Sequence, residues 1–333
     1  MKRHDTLLVD PYHRRLSYLR VSITDRCNLR CLYCMPRKGV PKLRHEDILT
    51  YEEIIRVCRI ALSLGMDKIR LTGGEPLLRK GIFNFLPQLT ALPGLRDVSL
   101  TTNGVFLAEN LDKIRASGLK RLNISLDTLK GERYVKITDR DCFEKVWEGL
   151  TLARKKGFNP LKINVVVIRH VNDDEILDFA RLTLDHPYHV RFIEYMPMGP
   201  VQKARHLEHV PNAKVKERIA ALGALVPIPK EIYDGPAERF RVKGALGEVG
   251  FISALTHHFC PACNRLRLTA RGALRPCLLS GYEQDLKGPM RQGATDEEVA
   301  RIFLNTARHK PYAHHVSLKN DHDLQAYMSS IGG

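Results

Sequence analysis

The sequence predicts an α/β fold: a partial (β/α)6 TIM-type barrel with a smaller, cysteine-bearing C-terminal extension. Three observations predict it. Six strand-like runs alternate with helix-like stretches. Short polar or glycine-bearing motifs follow those runs at their C-terminal ends, the face where β/α barrels build their sites. Past Gly199 the periodicity changes to short hairpin-type runs, which sets a boundary near residue 225 between units 1–225 and 226–333.

The first strand is read at Tyr18–Thr24, and Cys27, Cys31 and Cys34 follow on the loop leaving it. Thr50-Tyr-Glu-Glu53 is a capping-box sequence. Behind it Ile54, Val57, Cys58, Ala61 and Leu64 recur at helical spacing up to Gly65, so Cys58 reads as core. Further strands are expected at Lys68–Thr72, Asp97–Thr101, Arg121–Ser125, Lys162–Ile168 and Val190–Glu194, with helices at 107–117 and 143–156 among those between them. The motifs after the later strands are Gly73-Gly74-Glu75-Pro76, Thr102-Asn103-Gly104, Leu126-Asp127, Arg169–Asn172 and Tyr195–Gly199. Such a series implies a parallel sheet with right-handed crossover helices. Gly73 and Gly74 let backbone approach a ligand closely, and Glu75 suits a positively charged amino group.

The cysteines carry the chemistry. C-x3-C-x2-C offers three thiolates with no fourth nearby, which suits three corners of a [4Fe–4S] cube and leaves one iron open. A closed structural zinc site wants four ligands. A second set, Cys260, Cys263 and Cys277, has the spacing C-x2-C-x13-C. Read alone, it fits a zinc site completed by His257 or His258; beside the first set it suggests a second cube. Between its members lies a predicted hairpin, with Arg265 and Arg267 on one face and Leu266 and Leu268 on the other. The two arginines form an anion site or a solvated strand face.

The chain has 333 residues, 44% of them hydrophobic, and a net charge of +16 from 53 basic and 37 acidic residues. The surplus points to a polyanionic partner, nucleic acid or a small polyphosphate. The charge is scattered, with Arg154-Lys-Lys156 the longest basic run. No apolar run approaches the roughly 18 residues of a membrane span. Met1–Asp10 has no apolar core, so a reducing cytoplasm and no membrane are the expectation.

With Tyr33 before its last cysteine, the first loop resembles the signature of the radical S-adenosylmethionine (SAM) superfamily. From Tyr18 to Gly333 the chain resembles the GTP 3′,8-cyclase family. The motifs are Cys27-Asn-Leu-Arg-Cys31-Leu-Tyr-Cys34-Met-Pro36, Arg70-Leu-Thr-Gly-Gly-Glu-Pro-Leu-Leu-Arg79, Phe259-Cys-Pro-Ala-Cys-Asn-Arg-Leu-Arg-Leu-Thr269 and Ile331-Gly-Gly333. Arg271 departs from the pattern, which has an acidic residue before the turn glycine.

The resemblance implies a radical SAM barrel with a cluster-binding extension. Cys27, Cys31 and Cys34 would ligate the SAM cluster, and Tyr33, Gly74, Ser125 and Met196 would contact SAM. Taken alone, Ser125 is a strand-end residue and Met196 is barrel packing. Cys260, Cys263 and Cys277 would ligate a second [4Fe–4S] cluster whose free iron meets guanine. Arg20, Arg70, Thr101, Lys162 and the Arg265-Leu266-Arg267 segment would hold GTP, with Arg265 and Arg267 catalytic and Gly332-Gly333 reaching into the site.

The implied reaction converts GTP to (8S)-3′,8-cyclo-7,8-dihydroguanosine 5′-triphosphate, the first step of molybdenum cofactor biosynthesis, with 5′-deoxyadenosine and methionine released. A homodimer, an external electron donor and a downstream cyclic pyranopterin monophosphate synthase are the implied partners, and nucleic acid is not one. Two rivals stand beside this reading: a radical SAM enzyme acting on a peptide, and a zinc-bearing nucleic-acid-binding protein.

Overall fold

The computed structural model describes residues 7–197, 207–314 and 328–331. Six parallel strands run in sequence order: β1 (Tyr18–Ser22), β2 (Lys68–Thr72), β3 (Asp97–Thr102), β4 (Arg121–Ser125), β5 (Leu161–Val167) and β6 (Tyr188–Glu194). The crossovers carry α1 (Tyr51–Ser63), α2 (Ile82–Thr90), α3 (Leu111–Ala116), α4 (Gly131–Thr138) with α5 (Phe143–Lys155), and α6 (Ile176–Asp185). This is the predicted series of β/α units.

The expected capping box opens α1. The Thr50 hydroxyl accepts from the Glu53 N–H at 3.2 Å, and the Glu53 carboxylate accepts from the Thr50 N–H at 2.7 Å. Ile54, Val57, Cys58 and Ala61 are fully buried along one face. Cys58 is core, as its spacing predicts, and burial alone pushes its thiol up to about 12.

The C-terminal part continues the same sheet at both edges. Its strands are β7 (Leu225–Ile228), β8 (Glu238–Val242), β9 (Glu248–Ile252), β10 (Arg265–Leu268), β11 (Ala273–Arg275) and β12 (Gln284–Asp285). β10 lies parallel to β1, and β9 lies parallel to β6. The sheet order is β12-β11-β10-β1-β2-β3-β4-β5-β6-β9-β8-β7, so the arc ends at β12 and β7.

Period-two alternation then sorts the side chains. Leu19, Val21, Ile69, Leu71, Leu122, Ile124, Ile163, Val190 and Phe192 are fully buried in the main hydrophobic core. The alternate positions carry Arg20, Arg70, Ser99, Asn123, Lys162 and Arg191, buried but polar. Barrel interiors are usually filled by branched aliphatic layers. This lining instead leaves a cavity of about 300 Å³.

Candidate active site

The cavity wall includes all six cysteines of the two sets. The first loop, 27–34, forms no regular element and is pinned to the end of α4. The Arg30 N–H donates to the Thr138 carbonyl at 2.8 Å, and the Leu32 N–H donates to the Ile137 carbonyl at 2.9 Å. Burial raises the Cys27 thiol, with Glu75 adding to it. Burial raises Cys31 further, helped by Cys34 and Asp127. The Tyr33 hydroxyl donates to Asp127 at 2.7 Å, so that side chain is held against the β4 end.

Gly74 lines the cavity, but what requires a glycine there is the neighbouring chain. A Cβ at this position would lie 2.3 Å from the Arg26 carbonyl oxygen. The Glu75 carboxylate also has partners within the protein. It is fully buried and accepts from the Leu77 N–H at 3.0 Å, the Thr102 hydroxyl at 2.8 Å and the Asn103 N–H at 2.7 Å. It braces the β2 loop to the β3 loop, and burial pushes it up to about 7.

The second set faces the same cavity from the extension. Cys260 and Cys263 flank a short 3-10 turn, and Cys277 follows β11. Burial opposes ionisation of Cys263, but Arg265 and Lys310 outweigh it and pull the thiol down to about 6. Arg265 donates to this sulfur and stacks its guanidinium over Phe259 at 4.6 Å. Arg271, the departure at the hairpin tip, pairs with Glu283, which also takes Arg275 at 3.1 Å.

Among the described residues, no three His, Cys, Asp or Glu side chains converge tightly enough for a single metal ion. Each set offers three thiols to the one concave wall.

A cationic belt joins the two sets. Neighbouring strands bring Arg267, Arg20 and Arg70 side by side in register. Arg191 lines the wall opposite, on β6. Burial and the surrounding guanidiniums lower Arg20 to about 10 and Arg191 to about 9. Burial together with Arg20 and Arg265 lowers Arg267 well below its ordinary value. Lys162 is the extreme case: burial, then Arg191, Arg121, Arg70 and Lys68, push it down to about 5. Cations pressed this close fit a polyanion, whose charge relieves the repulsion.

The expected SAM residues Tyr33, Gly74, Ser125 and Met196 all lie on the cavity wall, as do Arg20, Arg70, Thr101, Arg265 and Arg267. Lys162 is buried beyond the wall residues, and the Leu266 side chain is fully buried in the core behind β10. Only the backbone of Leu266 is thus left to meet a ligand. Gly332, Gly333 and His315 lie outside the described residues. Arg191 and Lys310 were not singled out from the sequence, whereas Asp127 belongs to the predicted Leu126-Asp127 motif. The phase of the Val190–Glu194 alternation points Arg191 inward and is the signal for it, whereas Lys310 has no local pattern.

Residues 21–183 match the radical SAM superfamily, and residues 188–316 match the family described as Molybdenum Cofactor Synthesis C. The GTP 3′,8-cyclase of Moorella thermoacetica is 50% identical over 324 residues, which span 97% of this chain and 99% of that one. That of Pelotomaculum thermopropionicum is 48% identical over 97% of this chain and 99% of its own. Among solved structures, Streptococcus suis SuiB superposes with a TM-score of 0.60 at 14% identity, over 90% of this chain and 68% of that one, a likeness of fold alone. Identity of this degree over nearly the whole length places the chain in the GTP 3′,8-cyclase family of radical SAM proteins.

Proposed function

We propose that the chain is a GTP 3′,8-cyclase that converts GTP to (8S)-3′,8-cyclo-7,8-dihydroguanosine 5′-triphosphate in the first step of molybdenum cofactor biosynthesis. One observation carries the reading: a single cavity is walled by two three-cysteine sets and by a belt of buried arginines between them. In this reading Cys27, Cys31 and Cys34 hold a [4Fe–4S] cluster, and Cys260, Cys263 and Cys277 hold a second. A reduced cluster held at the first set with SAM would supply one-electron cleavage of SAM to methionine and a 5′-deoxyadenosyl group able to take hydrogen from C3′ of the ribose.

The protein's own residues bind, orient and exclude water. Tyr33, Gly74, Ser125 and Met196 form the SAM wall. Arg20, Arg70, Arg191 and Arg267 receive the triphosphate, with Lys162 buried behind them. Charge-assisted hydrogen bonds contribute about 1.5–3 kcal/mol each. Four or five give on the order of 10 kcal/mol gross, against the roughly 8 kcal/mol net of micromolar binding. The triphosphate alone therefore leaves little margin, and guanine contacts at the second cysteine set supply the remainder. Residues 1–225 bring SAM and much of the cationic belt, and 226–333 bring the second set. A homodimer, an external reductant and a cyclic pyranopterin monophosphate synthase acting on the product complete the proposal.

Anaerobic incubation with GTP, SAM and dithionite tests it. The expected result is a nucleotide with the mass of GTP but altered ultraviolet absorption, together with 5′-deoxyadenosine formation stimulated by GTP. SAM cleavage stimulated by a peptide and not by GTP would overturn it.

A further inference from the structure

We propose that Lys310 is a positioning residue for the second cysteine set: its buried ammonium joins the two arms of the Cys263–Cys277 hairpin, fixes the Cys263 sulfur as a ligand, and sets the charge and so the reduction potential of the cluster held there. This rests on the reading that Cys260, Cys263 and Cys277 hold a [4Fe–4S] cluster.

Lys310 follows the helix Asp296–Arg308, far from the cysteines in sequence, yet is only 3% exposed. An ammonium has three donors, and all three are used. They reach the Cys263 sulfur at 3.5 Å, the Arg265 carbonyl at 2.8 Å and the Pro276 carbonyl at 2.7 Å. The first two acceptors belong to the arm carrying Cys263, and the third immediately precedes Cys277. One side chain thereby fixes the separation of two cysteines.

The charge environment narrows the purpose. Burial works first against its charge and lowers its pKa; Cys263 and Cys277 favour the charge, while Arg265 and Arg14 oppose it. Burying a cation beside two others is costly unless a lasting negative charge faces it. A free thiol gains and loses its proton, but a metal-bound thiolate is deprotonated outright. The position therefore suits a sulfur that remains anionic, and a donor to such a sulfur stabilises the more negative, reduced cluster.

The neighbouring chain seats the lysine. Arg14, paired with Asp10 at 2.5 Å, donates to the Cys260 carbonyl at 2.7 Å, the Pro311 carbonyl at 2.7 Å and the Tyr312 carbonyl at 2.9 Å. The His314 N–H donates to the Cys260 sulfur. His309 stacks on Tyr282 in the stretch after Cys277, with ring centroids 4.2 Å apart. Residues 309–314 thus strap the whole second set.

The test reads the second cluster by itself, in full-length protein with Cys27, Cys31 and Cys34 replaced by serine. Wild-type Lys310, Lys310→Met, Lys310→Gln and Lys310→Arg are reconstituted anaerobically, then assayed for iron and sulfide and titrated electrochemically with electron paramagnetic resonance detection. With lysine, about four irons per chain are expected. Lys310→Met should either lose the cluster or shift its oxidised-to-reduced ratio at fixed potential at least tenfold toward oxidised, about 59 mV for one electron. Lys310→Arg should retain the cluster near the wild-type potential.

A Lys310→Met cluster with full iron and unchanged potential overturns the inference, and Lys310→Gln carries the same prediction should the methionine variant be insoluble. Absence of iron in the Lys310 parent removes the two-cluster reading and the inference with it. That outcome is distinguishable because it appears before Lys310 is changed.

Discussion

The two cysteine regions each offer three thiols to one cavity, and burial raises Cys27 and Cys31 in the first and Cys260 in the second; they differ in the charged side chains beside them. Around Cys27, Cys31 and Cys34 the nearest influential side chains include the acids Glu75 and Asp127, and the thiols of Cys27 and Cys31 are pushed up. Around Cys263 stand Arg265 and Lys310, and the thiol is pulled down to about 6. Equal donor number therefore does not mean equal role. SAM carries a sulfonium and an ammonium, so an acidic neighbourhood suits it; a nucleoside triphosphate suits the arginine side. This difference in neighbouring charge supports the proposed placing of SAM at the first set and the triphosphate beside the arginines.

Replacing one cysteine in each set is the strongest way to break this comparison. Cys31→Ser should abolish 5′-deoxyadenosine formation altogether, since the SAM end is lost. Cys277→Ser should abolish the cyclised nucleotide while leaving slow SAM cleavage by dithionite. Chromatography of both products from both variants is the check. If Cys277→Ser lost SAM cleavage as completely as Cys31→Ser, the division of labour would be wrong.

Next in size comes the arginine belt. Arg267→Ala and Arg191→Met each delete a buried charge, worth about 1.5–3 kcal/mol with an anionic partner, so GTP should bind roughly 10- to 100-fold more weakly. Iron content and SAM binding should remain as in wild type. Equilibrium binding under anaerobic conditions measures the first, and equal loss of SAM affinity would show the belt is shared by both ligands.

Lys162 gives a smaller effect with a defined sign. Held down to about 5 by burial and its cationic neighbours, it is uncharged in the free protein at neutral pH. A triphosphate alongside raises its pKa, so binding takes up a proton and affinity falls as pH rises above about 5. Calorimetry of GTP binding in two buffers of different ionisation enthalpy should show this uptake, and Lys162→Met should lose it. In the free protein the unfolded chain binds the extra proton, so this group's contribution to stability rises with pH between about 5 and the ordinary lysine value.

Much of this architecture was legible from local pattern. β2 and β4 match their predicted ends, because period-two runs bounded by polar motifs specify a strand directly. The capping box set the start of α1. The cysteine sets were legible because ligand spacing is local. What was not legible depends on distant chain. Lys310 reaches its acceptors across 34 to 47 residues, and no spacing rule joins them. That β10 and β9 add to opposite edges of the barrel sheet is likewise a pairing of remote segments. Glu75 shows the same limit: its place in a glycine loop suggests a ligand contact, and its bonds to Thr102 and Asn103 in the next loop were not legible from that pattern.

Glu75 also supplies the finest test of how the SAM end is held, for it is one of three buried glutamates that brace the mouth. Glu175 accepts from the Thr128 hydroxyl and the Leu129 N–H, both at 2.6 Å. Glu194 accepts from the N–H groups of Asn212 at 3.0 Å and Leu255 at 2.9 Å. Burial pushes the Glu75 carboxyl up to about 7. Its folded form holds a proton that the unfolded chain has released, so its contribution is greatest below the ordinary glutamate pKa and declines as pH rises through about 7. Glu75→Gln should flatten that decline in urea-denaturation profiles between about pH 5 and 8, while costing about 1–3 kcal/mol for the donor its amide cannot accept. Because the Asn103 side chain also donates to Asn28 beside Cys27, at 2.8 Å, the same variant should loosen the first loop and leave the second untouched. Iron loss confined to the first set is the expected signature, and loss from both would mean the two ends are braced as one.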